Sequence, residues 1–225
     1  MEKYFSQKKQ DKWIIEEIFN FKLNGYFIDL AAYDGITLNN TYLLEKKLNW
    51  NGICIEPFDK AFTKLKKNRN CILVNDVIDY NNDNEIKFRT DIEMGNGIID
   101  NDTDNNYNTR KSGKYGLDKS KFIVKKTKTL EFILDTNNAP KVIDYLSLDV
   151  EGSETRILSN FPFNKYKFLA LTIERPTIEL ENILFQNDYV FVKHYEMDTF
   201  YVHKTIPNFD NIKKETYQST PKKDW

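Results

Sequence analysis

Cysteine and histidine are nearly missing from this chain, with two of each in 225 residues. That scarcity leaves no cluster for a zinc cage and no framework for a disulfide-stapled fold. Cys54 and Cys71 each lie inside an apolar run, which reads as two core thiols in a protein made in a reducing compartment. A dominant charge is missing too: 33 lysines and arginines stand against 34 aspartates and glutamates. A chain so balanced offers no polycation to hold a nucleic-acid backbone, and its basic runs at 64–69 and 119–128 read as solvated helix faces or loops. Long hydrophobic runs are absent. The first residues carry no apolar signal core and no later run is long enough to span a bilayer, so a soluble, cytoplasmic protein without a membrane span is expected. Also absent is G-x-G-x-x-G, the loop with which bare backbone cradles a pyrophosphate.

In its place stands the segment 25–35, GYFIDLAAYDG. Phe27, Ile28 and Leu30 form a buried-strand pattern that breaks into a short acidic turn. This is the opening of an α/β nucleotide fold, whose ligands sit outside the carboxyl ends of the strands. Carboxylates at Asp29 and Asp34 would repel a pyrophosphate. They suit a ligand with an ammonium, a sulfonium and ribose hydroxyls, which points to S-adenosylmethionine (SAM). Glu56 follows about twenty residues after the loop, the separation at which an acid closing the second strand takes both ribose hydroxyls.

The rest of the chain extends the same pattern. Trp13, Ile14, Ile15, Ile18 and Phe19 recur at helical spacing and predict a helix over 10–21; strands follow at 26–31, 53–56 and 71–74, with helices over 38–48 and from Pro57. A short strand is expected at 86–89. The stretch 94–120, thick with glycine, asparagine and aspartate, reads as an irregular substrate-side lid, with plain disorder the alternative that its composition also fits. Beyond it come a helix at 129–134, a strand at 143–149, a helix at 153–158, a strand at 168–174 and a helix at 178–185. Segments 189–193 and 199–202 read as an antiparallel pair at the sheet edge. One domain over 1–205 is expected, followed by a loose polar tail at 206–225.

These blocks together resemble the FkbM-type methyltransferases. The likeness is carried by Ser6-Gln7, by Asp29 with Asp34-Gly35, by Asn40-Thr41-Tyr42, by Trp50-Asn51-Gly52, by Ile55-Glu56-Pro57, and by Lys67-Asn68-Arg69. It resumes at 143–154, IDYLSLDVEGSE, and at Ile157-Leu158, Thr172-Ile173-Glu174 and Tyr201-Val202-His203. The resemblance implies a Rossmann-like class I methyltransferase fold: a mostly parallel sheet with an antiparallel edge strand and helices on both faces. It also implies a SAM-dependent O-methyltransferase acting on a sugar hydroxyl of a glycan or glycoconjugate. One departure stands out. Similar sequences carry Gly-Ala-Asn-Asp-Gly where this chain has Ala31-Ala32-Tyr33-Asp34-Gly35.

Methyl transfer to an alcohol needs alignment of the oxygen with the C–S bond, and a base or a metal to take the proton. Asp149, Glu151 and Glu174, at the ends of the later strands, are the candidate catalytic acids, and the same three would suit a hard divalent ion such as Mg²⁺. On the cofactor side, Asp29 and Asp34 are expected to face the methionine end, Glu56 the ribose and Asp76 the adenine amino group. Gln7 and Thr41 are candidates for the carboxylate tail, and Ala31, Gly35 and Pro57 shape the same loops. His194 and His203 read as structural histidines in edge strands, and Tyr33, Tyr107 and Tyr115 as loop aromatics able to stack on a sugar face. Two other readings stay open. One is an RNA ribose 2′-O-methyltransferase, with Lys8, Lys9 and Lys12 biasing the hydroxyl; the other is a non-catalytic SAM-fold subunit.

Overall fold

Side chains that alternate along the central strands feed two separate cores, as expected for a sheet covered on both faces. In the computed structural model, which describes residues 3–108, 110, 116–118 and 120–219, β1 (Tyr26–Leu30) sends Phe27 one way and Ile28 and Leu30 the other. Strand β2 (Asn51–Ile55) sends Cys54 with Phe27, and Ile53 and Ile55 with Ile28. The Phe27 side is covered by α1 (Gln10–Lys12), which runs on as a π-helix (Trp13–Ile18), and by α2 (Tyr42–Leu48) and α3 (Asp59–Asn68). Helices α4 (Leu130–Thr136), α5 (Glu154–Ser159) and α6 (Ile178–Gln186) cover the Ile28 side.

The main sheet has seven strands. With β3 (Ile72–Val74), β7 (Val142–Leu148), β8 (Lys167–Glu174), β9 (Tyr189–Tyr195) and β10 (Asp198–His203), its order is β3-β2-β1-β7-β8-β10-β9. All pairings are parallel except those of β10, which runs antiparallel to both β8 and β9. The chain departs from β1 toward β2 on one side and returns to pair β7 on the other. Asp29 lies opposite Ser147 and Leu30 opposite Leu148. The carboxyl ends of β1 and β7 therefore open side by side at the topological switch point, where ligands bind in open α/β sheets.

Several local expectations shift. The first helix ends at Ile18, where Asn20 and Phe21 turn into the left-handed region. β1 stops at Leu30 because Ala31 is left-handed, and α3 begins at Asp59 rather than at Pro57. A second sheet was not foreseen: β4 (Val77–Ile78), β5 (Glu85–Arg89) and β6 (Phe122–Lys128), in the order β4-β6-β5. β6 takes up most of the basic run 119–128, pairing antiparallel with β5 through Phe122–Lys126 and parallel with β4 at Thr127 and Lys128.

The described part of the 94–120 stretch is anchored, with Ile98, Thr103, Asn105, Arg110 and Leu117 all buried; Tyr115 lies outside the described residues. The start of the tail is anchored as well. Ile206 is buried, Glu215 donates its N–H to the Val192 carbonyl at 2.7 Å, and Tyr217 bonds Glu181 at 2.8 Å; residues 220–225 lie outside the described part. Cys54 and Cys71 are free thiols 3.5 Å apart. Among the described residues, no helix is long and apolar enough to cross a membrane.

Candidate active site

The loop after β1 is held by hydrogen bonds that compensate for awkward backbone. Ala31 and Tyr33 have φ of 64° and 51°. The N–H groups of Ala31 and Ala32 both reach the Ile55 carbonyl, at 3.0 and 3.1 Å. One Glu56 carboxylate oxygen accepts the Tyr33 N–H at 2.9 Å and the other the Phe58 N–H at 2.8 Å. Burial pushes the Glu56 pKa up to about 7 against the pull of those two bonds. The family pattern's Gly and Asn fall at positions 31 and 33, and they are the residues that adopt left-handed backbone most readily. Gly35, φ 79°, is required on space as well, since a Cβ there would sit 2.6 Å from the Arg69 side chain.

Asp29 is buried, and its Oδ2 accepts from Asn39 Nδ2 at 2.9 Å and Thr41 Oγ1 at 2.7 Å. Burial raises its pKa, opposed by Arg69. Arg69 threads this network: it donates to Asn39 Oδ1 and Thr41 Oγ1, both at 3.0 Å, and to Glu45 at 2.7 Å. Thr41, expected to reach a ligand's carboxylate tail, is instead fully enclosed, its hydroxyl engaged between Asp29 and Arg69. Asp34 likewise turns to its own loop, accepting from Ile36 N at 2.9 Å, Thr37 N at 2.7 Å and Thr37 Oγ1 at 2.8 Å. Burial would raise its pKa, but those bonds outweigh it and hold the carboxyl below the usual range. Gln7 is exposed. It is Gln10 that turns inward, buried and hydrogen-bonded to Asp198.

Beside this loop a cavity opens between Leu30, Ala31, Ile55 and Pro57 on one wall and Phe88, Asn96, Gly97 and Ile98 on the other, with Asp76 and Ser153 also lining it. Three expected positions, Ala31, Pro57 and Asp76, thus share one cavity. Its far wall comes from the second sheet and the loop after it.

The second half of the rim is acidic. Asp149 directly follows β7, Glu174 ends β8, and the two carboxyls share a hydrogen bond. Burial raises the Glu174 pKa, and the charge of Asp149 adds to it. Glu151, itself left-handed at φ 57°, has its pKa raised by burial and by Asp149. Asp198, paired in register with Glu174, is pushed up to about 7 by burial and Asp149.

Among the described residues, Asp104, Glu151 and Glu174 converge, with one carboxylate oxygen from each within 4.8 Å of the others. Asp104 takes the place expected of Asp149 in a metal-binding trio. Two guanidiniums already neutralise the group: Arg175 bonds Asp104 and, at 2.6 Å, Glu174, while Arg110 reaches Glu151 at 3.1 Å. That donor set fits a divalent ion poorly. Gly152 makes the docking possible, since a Cβ on it would meet the Asp104 backbone N at 2.5 Å.

A seven-stranded sheet in this order, with both loops at its switch point, defines a class I methyltransferase fold. Residues 29–205 match the model of the methyltransferase FkbM domain, and the chain belongs to that family. No curated protein matches the chain.

The lysines of the RNA reading are committed to nearby side chains: Lys8 to Glu196, Lys9 to the Tyr195 ring, and Lys12 to Glu16 at 3.7 Å. His194 bonds Thr199 at 2.8 Å and the Gln218 carbonyl, and His203 bonds Thr205 at 2.8 Å. Sequence reasoning missed Asp104, Arg110, Asn96, Ser153 and the part played by Arg69. Arg69 and Ser153 had a signal, their places in family blocks.

Proposed function

We propose that this chain transfers the methyl group of SAM to a hydroxyl of a sugar in a glycan or glycoconjugate. The observation that carries the reading is the pair of acids Asp149 and Glu174 at the carboxyl ends of neighbouring strands β7 and β8, beside a mostly apolar cavity lined in part by Val150 and Ser153. The donor set fits SAM. Asp76 and Ser153 line the cavity, and Asn40 Oδ1, on a residue bonded to Ser147 at 2.9 Å, is buried without a partner, an acceptor suited to an ammonium. When bound, SAM supplies a sulfonium methyl open to in-line attack.

Asp149 then receives the hydroxyl proton as the sugar oxygen forms its bond to the methyl carbon. SAM would give up that methyl with its sulfur leaving as a neutral thioether. Glu174, hydrogen-bonded to Asp149 and to Arg175, orients Asp149 toward the acceptor. Arg175 and Arg110 balance the remaining carboxylates. An acceptor half lined by carboxylates suits a ligand with many hydroxyl donors. The committed lysines weigh against RNA, and the intact acids against a non-catalytic subunit.

Incubation with methyl-labelled SAM tests this against a panel of saccharides, glycolipids and RNA. Label in an alkali-stable ether on a saccharide is the expected result. Label in RNA alone, or in none of the acceptors despite SAM binding, contradicts it.

A further inference from the structure

We propose that the small second sheet is the adenine cover of this site, and that Ser153 and Asn96 are ligands of the adenine ring. The proposal rests on the SAM reading above. Most of the cavity wall is apolar, formed by Leu30, Ile55, Val77, Phe88, Ile98 and Val150, a lining whose chemistry suits an aromatic base better than a ribose or an amino acid.

Two polar atoms interrupt that wall. Ser153 is 1% exposed, yet its hydroxyl has no hydrogen-bond partner, and Asn96 Oδ1 is buried without one as well. Buried polar groups are nearly always paired, so each marks a place where a partner belongs. The orientation of the Asn96 amide is settled by its other end, since Nδ2 donates to the Ile92 carbonyl at 2.6 Å. Oδ1 is therefore the atom that needs a donor. Ser153 stands at the start of α5, where a hydroxyl ordinarily accepts from the helix. Here Ser153 makes no such bond, and the Glu154 carboxylate turns back to the loop before the helix, accepting the Val150 N–H at 3.0 Å.

An adenine ring answers both atoms. Its 6-amino group carries two hydrogens, one for Asn96 Oδ1 and one for Asp76 on the same cavity, and its ring nitrogens accept from the Ser153 hydroxyl. The cover itself is braced. Phe88 and Ile98 are bridged, and Arg89 donates to Asn105 Oδ1 at 3.1 Å and to the Gly116 carbonyl at 2.8 Å. The loop that presents Asn96 thus continues into Asp104 and Arg110 on the acceptor side.

The test is calorimetric titration of S-adenosylhomocysteine, and of its analogue with a 6-oxo group, into the full chain and its Ser153→Ala and Asn96→Ala variants. Melting temperatures of the unliganded proteins are measured alongside. The wild type is expected to prefer the 6-amino ligand at least about tenfold, a preference that Asn96→Ala narrows. Ser153→Ala is expected to melt no lower than wild type, having lost an unpaired buried hydroxyl, while binding S-adenosylhomocysteine about tenfold more weakly. Unchanged affinity in both variants, or a loss in Ser153→Ala that goes with a lowered melting temperature, overturns the assignment. Failure of the wild type to bind S-adenosylhomocysteine removes the SAM reading itself, a result distinct from either.

Discussion

Glu56 accepts the backbone N–H of Tyr33 at 2.9 Å, so the acid that closes β2 also holds a tyrosine in the left-handed region. The same loop carries left-handed Ala31. Two residues poorly suited to their backbone are kept there by bonds from the neighbouring strand, beside the cavity that Ala31 lines.

Ala31→Gly relieves the first of these. A left-handed L-residue costs about 1–2 kcal/mol, partly offset by the greater freedom that glycine gives the unfolded chain. A net gain of about 0.5–1 kcal/mol in denaturant unfolding is expected. A loss would show that the Ala31 methyl contributes packing that outweighs its strain.

Glu154 makes stability depend on pH. It is fully buried, and burial raises its pKa from 4.5 to about 8. A raised carboxyl pKa means that the folded chain holds a proton the unfolded chain has already released. This contribution is present in full below about pH 4.5 and is lost as pH rises through about 8. Glu154→Gln keeps an oxygen for the Val150 N–H and removes the titration. The variant should match wild type near pH 4.5 and exceed it at pH 8 by at least about 1 kcal/mol, roughly one pKa unit. A stability difference that stays constant across that range contradicts the assignment.

How far such features could be read from the residues depended on burial. β1, β7 and β8 run almost wholly through the core, so their apolar runs were plain. β6 reads Phe-Ile-Val-Lys-Lys-Thr-Lys and buries only Thr127; its strand character comes from pairing with β5, which leaves no apolar signature. The start of the tail is similarly held by backbone and tyrosine bonds to elements far away in sequence. In the site, acids that end strands were visible because position alone marks them. Asp104 and Arg110 lie in an asparagine-rich stretch, and they reach Glu151 only through the close approach that Gly152 allows. Ser153 and Asn96 are ordinary residues until the cavity shows their unpaired atoms.

The two guanidiniums at the acceptor half bear on metal dependence. With Arg175 and Arg110 bonded to Asp104, Glu151 and Glu174, turnover should survive exhaustive chelation unchanged. Arg175→Ala, which leaves buried acids unbalanced, should cut kcat at least tenfold, by about 1.4 kcal/mol or more. Activity that disappears with chelator and returns with Mg²⁺ would instead place a metal among those acids.

The most direct measurement compares Asp149→Asn with wild type in single-turnover methyl transfer to a saccharide acceptor, with S-adenosylhomocysteine affinity measured on the same samples. Loss of the base should slow transfer by about 10²–10⁴-fold while affinity stays within about twofold, because Asp149 acts on the acceptor and not on the cofactor. Transfer at the wild-type rate with unchanged affinity would contradict the account.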